Sequence, residues 1–406
     1  MNQPKIIVSI LTNALDKDSR ALKMASSFVR WGYKSIVVEE QKSARDYSHL
    51  GIEVISLKKS SQENMTSQNI GSLKKILKAL WHFLRKMGLG FMLDFISYLI
   101  YRRNYYDKYF YSVRGMIPKA DLYYLHSYEY FSSVKTFARD GAKVIYDAHD
   151  YYSSIDRPKN SLESKWLKPF QKKIENNLIQ NSDAFVSVSP GLQNEYLNFF
   201  CKKPELIRNV HDKRLDQERK NLRDCLGIKQ SCTVVVSVGN CKDGQRINEI
   251  IEALNLLPDH FHLCFLGDGY DSFYNQKDLS KGRLHFYNRV LPENIVSFIS
   301  GCDVGLLSYY GSTNNYRYAL PNGFFQMIAA KIPVIFSNEL CEIKALNDVF
   351  NFGLPINIGD IREIAETVKT ISSNKNTFLE ALEKASKVLS WENEEKKLKQ
   401  IIQQCI

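Results

Sequence analysis

Residues 303–337 read DVGLLSYYGSTNNYRYALPNGFFQMIAAKIPVIFS, and this stretch carries the pattern that decides the fold. The apolar run at 304–307 predicts a short strand, which a polar and aromatic loop follows. A helix is predicted to begin after Pro321, and Ile332-Pro333 then leads into a second strand at 334–336. In an open α/β sheet, ligands bind at the loop after a strand and at the N-terminus of the next helix. Free N–H groups and a partial positive charge at that N-terminus favour an anion such as a phosphate.

Length and composition bound the class of protein. The chain has 406 residues, of which 44% are hydrophobic, and this is enough to bury two ordinary cores. The net charge of +11 indicates a polyanionic partner, and charge alone leaves nucleic acid, anionic lipid and a phosphorylated substrate open. The eight cysteines are scattered and include no Cys-x-x-Cys pair. This scatter is typical of reduced cytosolic thiols and predicts neither a disulfide framework nor a metal site.

Hydrophobic runs are short throughout the sequence. The first of them, residues 6–11, is too short for the apolar region of a signal peptide and predicts a strand. No run approaches the roughly 18 apolar residues that a spanning helix needs. The sequence therefore predicts a cytoplasmic protein that is not integral to a membrane.

Runs of strand length alternate with helical patterns along most of the chain. The predicted strands are 6–11, 33–38, 121–125, 143–146, 184–188, 233–238, 262–266, 284–287, 304–307 and 334–336. This alternation predicts an α/β protein with two doubly wound, Rossmann-like domains that face each other across a cleft. The pattern lapses between 204 and 227, where we place the joint. We predict an N-terminal domain at 1–205, a C-terminal domain at 206–385, and a final helix at 386–406 that returns to the N-terminal domain.

Residues 72–103 are the most unusual stretch for a soluble protein. Leucines, isoleucine and Trp81 recur at helical spacing, with lysines and arginine on or beside the opposite face. After a break at Gly88 and Gly90, residues 91–101 are apolar except for an aspartate and a serine. One interpretation is a core helix with a solvated charged face. The interpretation we favour is a basic amphipathic insertion that binds the inner membrane surface through Trp81, Phe91 and the cations.

The first β-α-β unit raises the possibility of a dinucleotide-binding enzyme. Glu39 and Glu40 follow the second predicted strand, where a dinucleotide-binding fold keeps the acid that binds ribose. The first turn, residues 11–14, contains no glycine, however, and the G-x-G-x-x-G fingerprint is absent. A nicotinamide-dependent enzyme is therefore disfavoured.

Two histidines follow successive predicted strands. His126 comes directly after 121–125, and His149, with Asp150 beside it, comes after 143–146. A single histidine at a strand end is more often structural than functional. Because the carboxyl ends of neighbouring parallel strands share one edge, two histidines there are better candidates for a site.

The loop after 233–238 is a candidate for binding a diphosphate. It reads GNCKDGQR and places Gly239 and Gly244 together with Lys242 and Arg246 at the start of a helix. The glycines let backbone N–H groups approach a ligand, and Lys242 or Arg246 neutralises its charge. The loop is not a Walker A motif. Taken alone it would be an ordinary turn with solvated cations, but 314–322 is predicted to lie at the same sheet edge.

A family resemblance rests on several motifs in a fixed order. Residues 315–335, NYRYALPNGFFQMIAAKIPVI, resemble the donor-binding segment of family 4 glycosyltransferases of the GT-B fold, in which many bacterial members carry Leu-Pro-Asn-Lys-x-Phe-Glu. The resemblance spans nearly the whole chain. The other matching pieces are Asp18-Ser19-Arg20, residues 146–150, Arg208-Asn209-Val210, Gly267-Asp268-Gly269, residues 303–306 and residues 390–394.

The resemblance implies the roles of the candidate residues. His149 would lie near the donor sugar, with His126 and Asp150 as the other catalytic candidates, and Lys242 and Arg246 would hold the diphosphate. The nucleotide sugar is implied as the donor substrate, with no cofactor and no bound metal, because helix N-termini and cations stabilise the leaving diphosphate. Most relatives retain the anomeric configuration without an evident protein nucleophile. The implied donor-binding residues are Gly239, Asn240, Lys242, Arg246, Asn314, Asn315, Tyr318, Pro321, Asn322 and Gln326.

Three positions depart from the family pattern. Gln326 replaces a glutamate that is expected to contact ribose, and Tyr318 replaces the acid eight residues before it. Gly323 replaces the lysine that follows Leu-Pro-Asn. An amide can still bind a hydroxyl group, but it carries no charge.

The sequence supports several functions of different classes. The leading hypothesis is a glycosyltransferase, peripheral to the cytoplasmic membrane, that builds a surface polysaccharide or a lipid-linked glycan. A nucleotide-sugar epimerase on the same fold and a non-catalytic homologue that binds glycan or membrane are the alternatives. Nucleic-acid binding is the weakest, because the cations lie beside a leucine stripe rather than among exposed aromatic residues.

Overall fold

The computed structural model describes residues 3–57, 84, 87–113, 115–137, 141–151, 163–217, 220–276 and 280–406. Its internal contacts divide the chain into two compact units. Unit 1 comprises Met1–Ala148, Ile155–Phe185 and Cys405–Ile406, and unit 2 comprises His149–Ser154 and Val186–Gln404. Of the predicted basic insertion 72–103, residues 72–83 and 85–86 lie outside the described residues, and so do residues 58–71 before it.

The first parallel sheet has seven strands in the order β3-β2-β1-β4-β5-β6-β7. Its central strand β1 has the sequence IIVSIL and is buried beyond its first residue, as expected for a strand covered on both faces. The strands are β1 Ile6–Leu11, β2 Lys34–Glu39, β3 Ile52–Ser56, β4 Leu122–Leu125, β5 Lys143–Ala148, β6 Ala184–Ser187 and β7 Glu205–Leu206.

The second parallel sheet has six strands in the order β10-β9-β8-β11-β12-β13. Strand β8, with the sequence TVVVSV, is wholly buried next to β11. The strands are β8 Thr233–Val238, β9 Phe261–Leu266, β10 Leu284–Tyr287, β11 Val304–Leu306, β12 Val334–Ser337 and β13 Gly353–Ile356.

Helices connect the strands of both sheets, so that each sheet is doubly wound as predicted. The described α-helices are α1 Ser19–Arg30, α2 Gly90–Tyr106, α3 Phe131–Phe137, α4 Lys168–Asn181, α5 Pro190–Phe200, α6 Leu222–Cys225, α7 Ile247–Asn255, α8 Ile295–Ile299, α9 Asn314–Arg317, α10 Asn322–Ala329, α11 Cys341–Phe350, α12 Ile361–Ser373, α13 Leu379–Val388 and α14 Trp391–Cys405. Single turns of 3-10 or π-helix occupy Leu15–Lys17, Ser48–Leu50, Asp107–Tyr111, Glu163–Leu167, Lys213–Leu215, Asp271–Phe273, Pro292–Asn294 and Lys375–Phe378.

All ten predicted strands are present, and three further strands were not predicted. Strand β3 is half-exposed and contains Glu53, so its sequence shows no continuous apolar run. Strand β7 has only two residues. Strand β13 contains Pro355 and begins at Gly353, where a Cβ atom would overlap the carbonyl oxygen of Val334. A proline and a glycine in so short a run are read as a turn rather than as a strand.

Helix α2 has an inverted distribution of polarity. Its acidic residue, Asp94, is buried, whereas six of its large apolar side chains are exposed. Among the described residues no helix combines the length and the hydropathy that a membrane crossing requires. The exposed apolar residues of this region are Met87, Leu89, Phe91, Met92, Phe95, Ile96, Leu99 and Ile100.

Candidate functional site

The N-terminus of helix α10 packs directly on the end of strand β8. Pro321 is the N-cap in an extended conformation, and no described side chain caps the helix. A Cβ atom on Gly323 would overlap the carbonyl oxygen of Val238, the last residue of β8. The backbone N–H groups of the first turn therefore lie beside the loop that leaves β8, and they are the donors that an anion needs.

The loop after β8 is shaped by close contact with the turn after β9. Gly239 and Gly267 both have positive φ angles, of 144° and 153°, and a Cβ atom on Gly267 would overlap the carbonyl oxygen of Gly239. The side-chain oxygen of Asn240 accepts a hydrogen bond from the N–H of Asp268 (3.0 Å). The N–H of Cys241 donates to the carbonyl of Asp268 (2.8 Å). Gly239 and Asn240 thus form the start of this loop. The side-chain oxygen of Asn240 ties it to the turn after β9.

The same loop is joined to the segment that follows β11. The N–H of Arg246 donates to the carbonyl oxygen of Ser308 (2.8 Å). A Cβ atom on Gly244 would lie 2.6 Å from the ring of Tyr316, which stacks on the ring of Tyr309. The two sequence stretches predicted to share a sheet edge are therefore in contact.

Two cations of the predicted site differ in their surroundings. The Arg246 guanidinium pairs with Glu249 (3.0 Å) and lies over the ring of Tyr310, 4.3 Å from its centroid. Its Nε atom is buried and has no acceptor among the residues that the structure describes. Lys242 is exposed, and no described carboxylate pairs with its ammonium group. Arg246 is thus held in place with one donor unused, whereas the Lys242 ammonium group is exposed to solvent.

Arg208, which was assigned no binding role from the sequence, also has a guanidinium nitrogen without a described acceptor. Its Nη1 atom lies 3.4 Å from Glu394, while its Nε atom is buried without an acceptor in the described part of the chain. The next residue, Asn209, donates to the side-chain oxygen of Asn322, the first residue of α10. A buried unused N–H of a guanidinium is costly unless a ligand accepts it, so Arg208 joins the candidates that bind an anion.

Gln326 points to a ligand for a similar reason. It is only 6% exposed, in the second turn of α10, and its side-chain amide forms no hydrogen bond with a described residue. An amide in such a position has hydrogen-bonding capacity left for a ligand. A bound ligand with hydroxyl groups would satisfy it.

Asn314 and Asn315 are anchors within unit 2. The Asn314 amide donates to the carboxylate of Glu195 on α5 (3.1 Å), and the Asn315 carbonyl group accepts from the N–H of Tyr151 (2.8 Å). These bonds fix helix α9 against α5 and against the segment that carries His149. One polar atom of each amide therefore holds the loop, and the role of both residues in donor binding stays a prediction.

Tyr318 packs its ring on a glycine. A Cβ atom on Gly191, in the first turn of α5, would overlap the ring of Tyr318. The position that carries an acid in the resembling family is thus filled by an aromatic ring in close contact with a helix.

His149 and Asp150 lie beside this arrangement. His149 is half-buried, and the carbonyl of Asp150 accepts a hydrogen bond from Tyr196 (3.2 Å). Burial, and to a lesser extent neighbouring charges that include Asp150, raises the pKa of Tyr309 to about 12. Burial and then the Asp150 charge also raise the pKa of Tyr316. Asp150 is therefore electrostatically coupled to the aromatic loop of the predicted donor site.

His126 belongs to a buried cluster of unit 1. It is 2% exposed, its Nδ1 atom lies 4.0 Å from Asp147, and its ring packs on Tyr124. Asp147 makes a two-point ion pair with Arg20 (2.8 and 2.9 Å) and accepts from the Tyr124 hydroxyl (3.0 Å). Burial, followed by the charge of Asp147, raises the pKa of Tyr124 well above its usual value. The sequence contained both Arg20 and Asp147 in its motifs, but gave no sign that they pair.

Glu39 has a structural role. It is 1% exposed, and its carboxylate accepts hydrogen bonds from the N–H groups of Leu15 (2.9 Å) and Ser43 (2.7 Å) and from the Ser43 hydroxyl. These bonds and its burial make Glu39 an anchor for the segment that follows β1 and for the loop at Ser43.

Comparison with known proteins supports the fold. No family model matches the chain, and no curated protein matches its sequence. Sucrose-phosphate synthase from Thermosynechococcus elongatus is 14% identical, with a TM-score of 0.66 over 98% of this chain and 99% of that one. HepE from Anabaena, solved in complex with UDP, is 13% identical, with a TM-score of 0.64 over 98% of this chain and 100% of that one.

A third similar structure is WaaG, described as a glycosyltransferase involved in lipopolysaccharide biosynthesis. It is 14% identical, with a TM-score of 0.59 over 94% of this chain and 95% of that one. At such identities the likeness concerns the fold, and membership of family 4 stays a prediction. The chain has the two-sheet α/β fold of GT-B glycosyltransferases.

Proposed function

We propose that this protein is a glycosyltransferase that moves a sugar from a nucleotide-sugar donor to a surface polysaccharide or a lipid-linked glycan. The observation that carries the proposal is the set of unused donors around α10. The Nε atoms of Arg246 and Arg208 are buried without described acceptors, and the amide of the 6% exposed Gln326 forms no hydrogen bond with a described residue. They accompany an uncapped helix N-terminus, which binds anions. The UDP in the HepE complex is the kind of ligand such a set would hold.

The chemistry follows from where charge develops during transfer. As the bond between sugar and diphosphate breaks, negative charge accumulates on the leaving diphosphate. The N–H groups of α10 and the guanidinium of Arg246 stabilise that charge. The ammonium group of Lys242 also neutralises it. These groups supply the positive charge without a metal ion. His149 lies near the donor sugar. Transfer proceeds with retention of the anomeric configuration.

The acceptor is proposed to be a glycan at the inner membrane surface. WaaG, with the same fold, is described as acting in lipopolysaccharide biosynthesis. Helix α2 buries Asp94 and exposes six large apolar residues, two more are exposed just before it at Met87 and Leu89, and the net charge of the chain is +11. Apolar contact with acyl chains and attraction to anionic headgroups both favour a bilayer. These features support our proposal of a peripheral enzyme of the cytoplasmic membrane.

Purified full-length protein tests the proposal in two steps. The first is a thermal-shift screen with UDP, GDP, ADP, dTDP and CMP, in which a ligand at a hundred times its Kd adds about 2.7 kcal/mol of stability. The second follows the matching nucleotide sugars by mass spectrometry, with and without membrane extract and with EDTA present. Transfer or slow hydrolysis in EDTA supports the proposal. Conversion of the donor to an epimer would identify an epimerase, and the absence of any nucleotide binding would leave a non-catalytic protein.

A further inference from the structure

Glu342 is a carboxylate of unit 2 that the proposed transfer has not yet used. It lies in the first turn of α11, and its Oε1 atom accepts a hydrogen bond from the N–H of Gly191 (2.6 Å). Its second oxygen, Oε2, forms no hydrogen bond with any residue that the structure describes. Burial raises the pKa of the Glu342 carboxyl, and the Gly191 N–H and the charge of Arg208 act in the opposite direction.

Glu342 shares its position with Tyr318. A Cβ atom on Gly191 would overlap the ring of Tyr318 and would lie 2.7 Å from Oε1 of Glu342. The ring and the carboxylate therefore meet over the same glycine. Position 318 is where the resembling family carries an acid, and this chain has a tyrosine there. The missing carboxylate is thus matched by one that comes from a different helix.

This place is next to the proposed diphosphate site. Tyr318 is three residues before Pro321, the N-cap of α10. Arg208, whose charge acts on Glu342, adjoins Asn209, and Asn209 bonds to the first residue of α10. In a nucleotide sugar the sugar is bonded directly to the diphosphate. A diphosphate at the N-terminus of α10 would therefore hold its sugar close to this end of the helix.

We infer that Glu342 binds the transferred sugar, with Oε2 accepting hydrogen bonds from its hydroxyl groups. The inference rests on the proposed function and deepens it by assigning the sugar end of the donor. A carboxylate accepts hydrogen bonds from a pair of neighbouring hydroxyl groups, and such charge-assisted bonds are stronger than neutral ones. Tyr318 supplies an apolar wall beside it, and Gly191 leaves the room that both side chains need.

A purely structural role for Glu342 is the rival explanation. An acidic residue in the first turn of a helix is stabilising, and the bond to Gly191 ties α11 to α5. A structural role predicts equal losses for every ligand of the site. A role in sugar binding predicts a loss only for ligands that carry a sugar.

The test compares free nucleotides with nucleotide sugars in isothermal titration calorimetry. UDP with UDP-glucose and GDP with GDP-mannose are titrated into the wild-type protein, E342Q and E342A. E342Q keeps an oxygen that accepts from Gly191 and removes only the charge. The matched control is E339Q, because the Glu339 carboxylate likewise accepts a hydrogen bond from the backbone N–H of a glycine, Gly311 (2.8 Å). Thermal unfolding of each variant checks that it is folded.

The expected result is a change in the ratio of the affinities for nucleotide sugar and free nucleotide. Both Glu342 variants bind the free nucleotide within about twofold of wild type and lose on the order of tenfold or more in affinity for the nucleotide sugar. E339Q keeps both affinities. Equal losses for nucleotide and nucleotide sugar, or an unchanged ratio, would overturn the role of Glu342 and leave the proposed function standing. A wild-type protein that binds neither nucleotides nor nucleotide sugars would overturn both.

Discussion

The carbonyl oxygen of Val238 occupies the space that a Cβ atom on Gly323 would need. Strand β8 and helix α10 approach so closely that only glycine fits at this position. In the resembling family a lysine follows Leu-Pro-Asn, and its absence here suggested from the sequence a lost contact with the ligand. The structure gives a steric reason for the glycine instead.

The first prediction concerns Gly323. Gly323→Lys and Gly323→Ala should each lower the free energy of unfolding by about 1–3 kcal/mol, because a side chain there displaces α10 from β8. Neither should increase transfer. Urea denaturation measures the loss. The control is Gly359→Ala, where a Cβ atom would make an ordinary contact of 3.4 Å with Asn357 and stability should change by less than about 0.5 kcal/mol. A stable Gly323→Lys variant with higher activity would show that the position is an ordinary ligand contact.

The second prediction concerns Gln326. Gln326→Leu should leave the free energy of unfolding within about 0.5 kcal/mol of wild type, because the amide forms no hydrogen bond with a described residue. It should weaken UDP-sugar binding about tenfold, since the ligand loses a hydrogen-bonding group. Calorimetry and urea denaturation measure the two effects. Met327→Leu, a conservative change one residue away, should leave the affinity unaltered. A marked loss of stability in Gln326→Leu without a loss of affinity would mean that the amide serves the fold.

The third prediction concerns the buried ion pair of Arg20 and Asp147. Asp147→Asn should lower the free energy of unfolding by about 3–5 kcal/mol, because it removes the carboxylate charge that makes the two-point pair with the buried guanidinium of Arg20. Glu53→Gln breaks a pair with Lys34 in which both side chains are about half exposed, and should cost less than about 1 kcal/mol. A stable Asp147→Asn variant that is inactive would place Asp147 in the chemistry rather than in the core.

The fourth prediction concerns alkaline pH. Burial, as the largest cause, raises the pKa of Tyr309 to about 12 from an ordinary value of 10. The folded state therefore keeps the phenol proton that the unfolded chain releases. Its contribution is complete below pH 10 and is lost as the pH rises from 10 to 12, by about 1.4 kcal/mol per pH unit. Denaturation at pH 8, 10 and 11.5 should show a smaller alkaline loss for Tyr309→Phe than for wild type. Equal slopes would mean that the phenol is solvated.

The sequence predicted the ten strands because parallel strands buried on both faces appear as continuous apolar runs. It also predicted that the loop from Gly239 and the stretch before Pro321 lie at one sheet edge, since the carboxyl ends of parallel strands share it. Local patterns of this kind depend on neighbours in the chain, and they can be recognised without knowledge of the tertiary structure.

Pairings between distant residues could not be predicted in this way. Arg20 and Asp147 are 127 residues apart, and Gly191 and Glu342 are 151 residues apart. Nothing in the immediate sequence of either partner signals the other. The same holds for Arg208, whose unused Nε atom is defined by burial rather than by a motif.

The fifth prediction concerns the exposed apolar face of α2. The double variant Ile96→Glu with Leu99→Glu should reduce binding to vesicles of phosphatidylcholine and phosphatidylglycerol at least tenfold, because two inserting side chains become charged. Its free energy of unfolding should change by less than about 0.5 kcal/mol, since both side chains are more than 40% exposed. Vesicle sedimentation measures the binding. Val349→Glu, on another exposed apolar side chain, should bind like wild type. If the double variant also binds like wild type and only high salt releases it, surface cations rather than α2 hold the protein to the membrane.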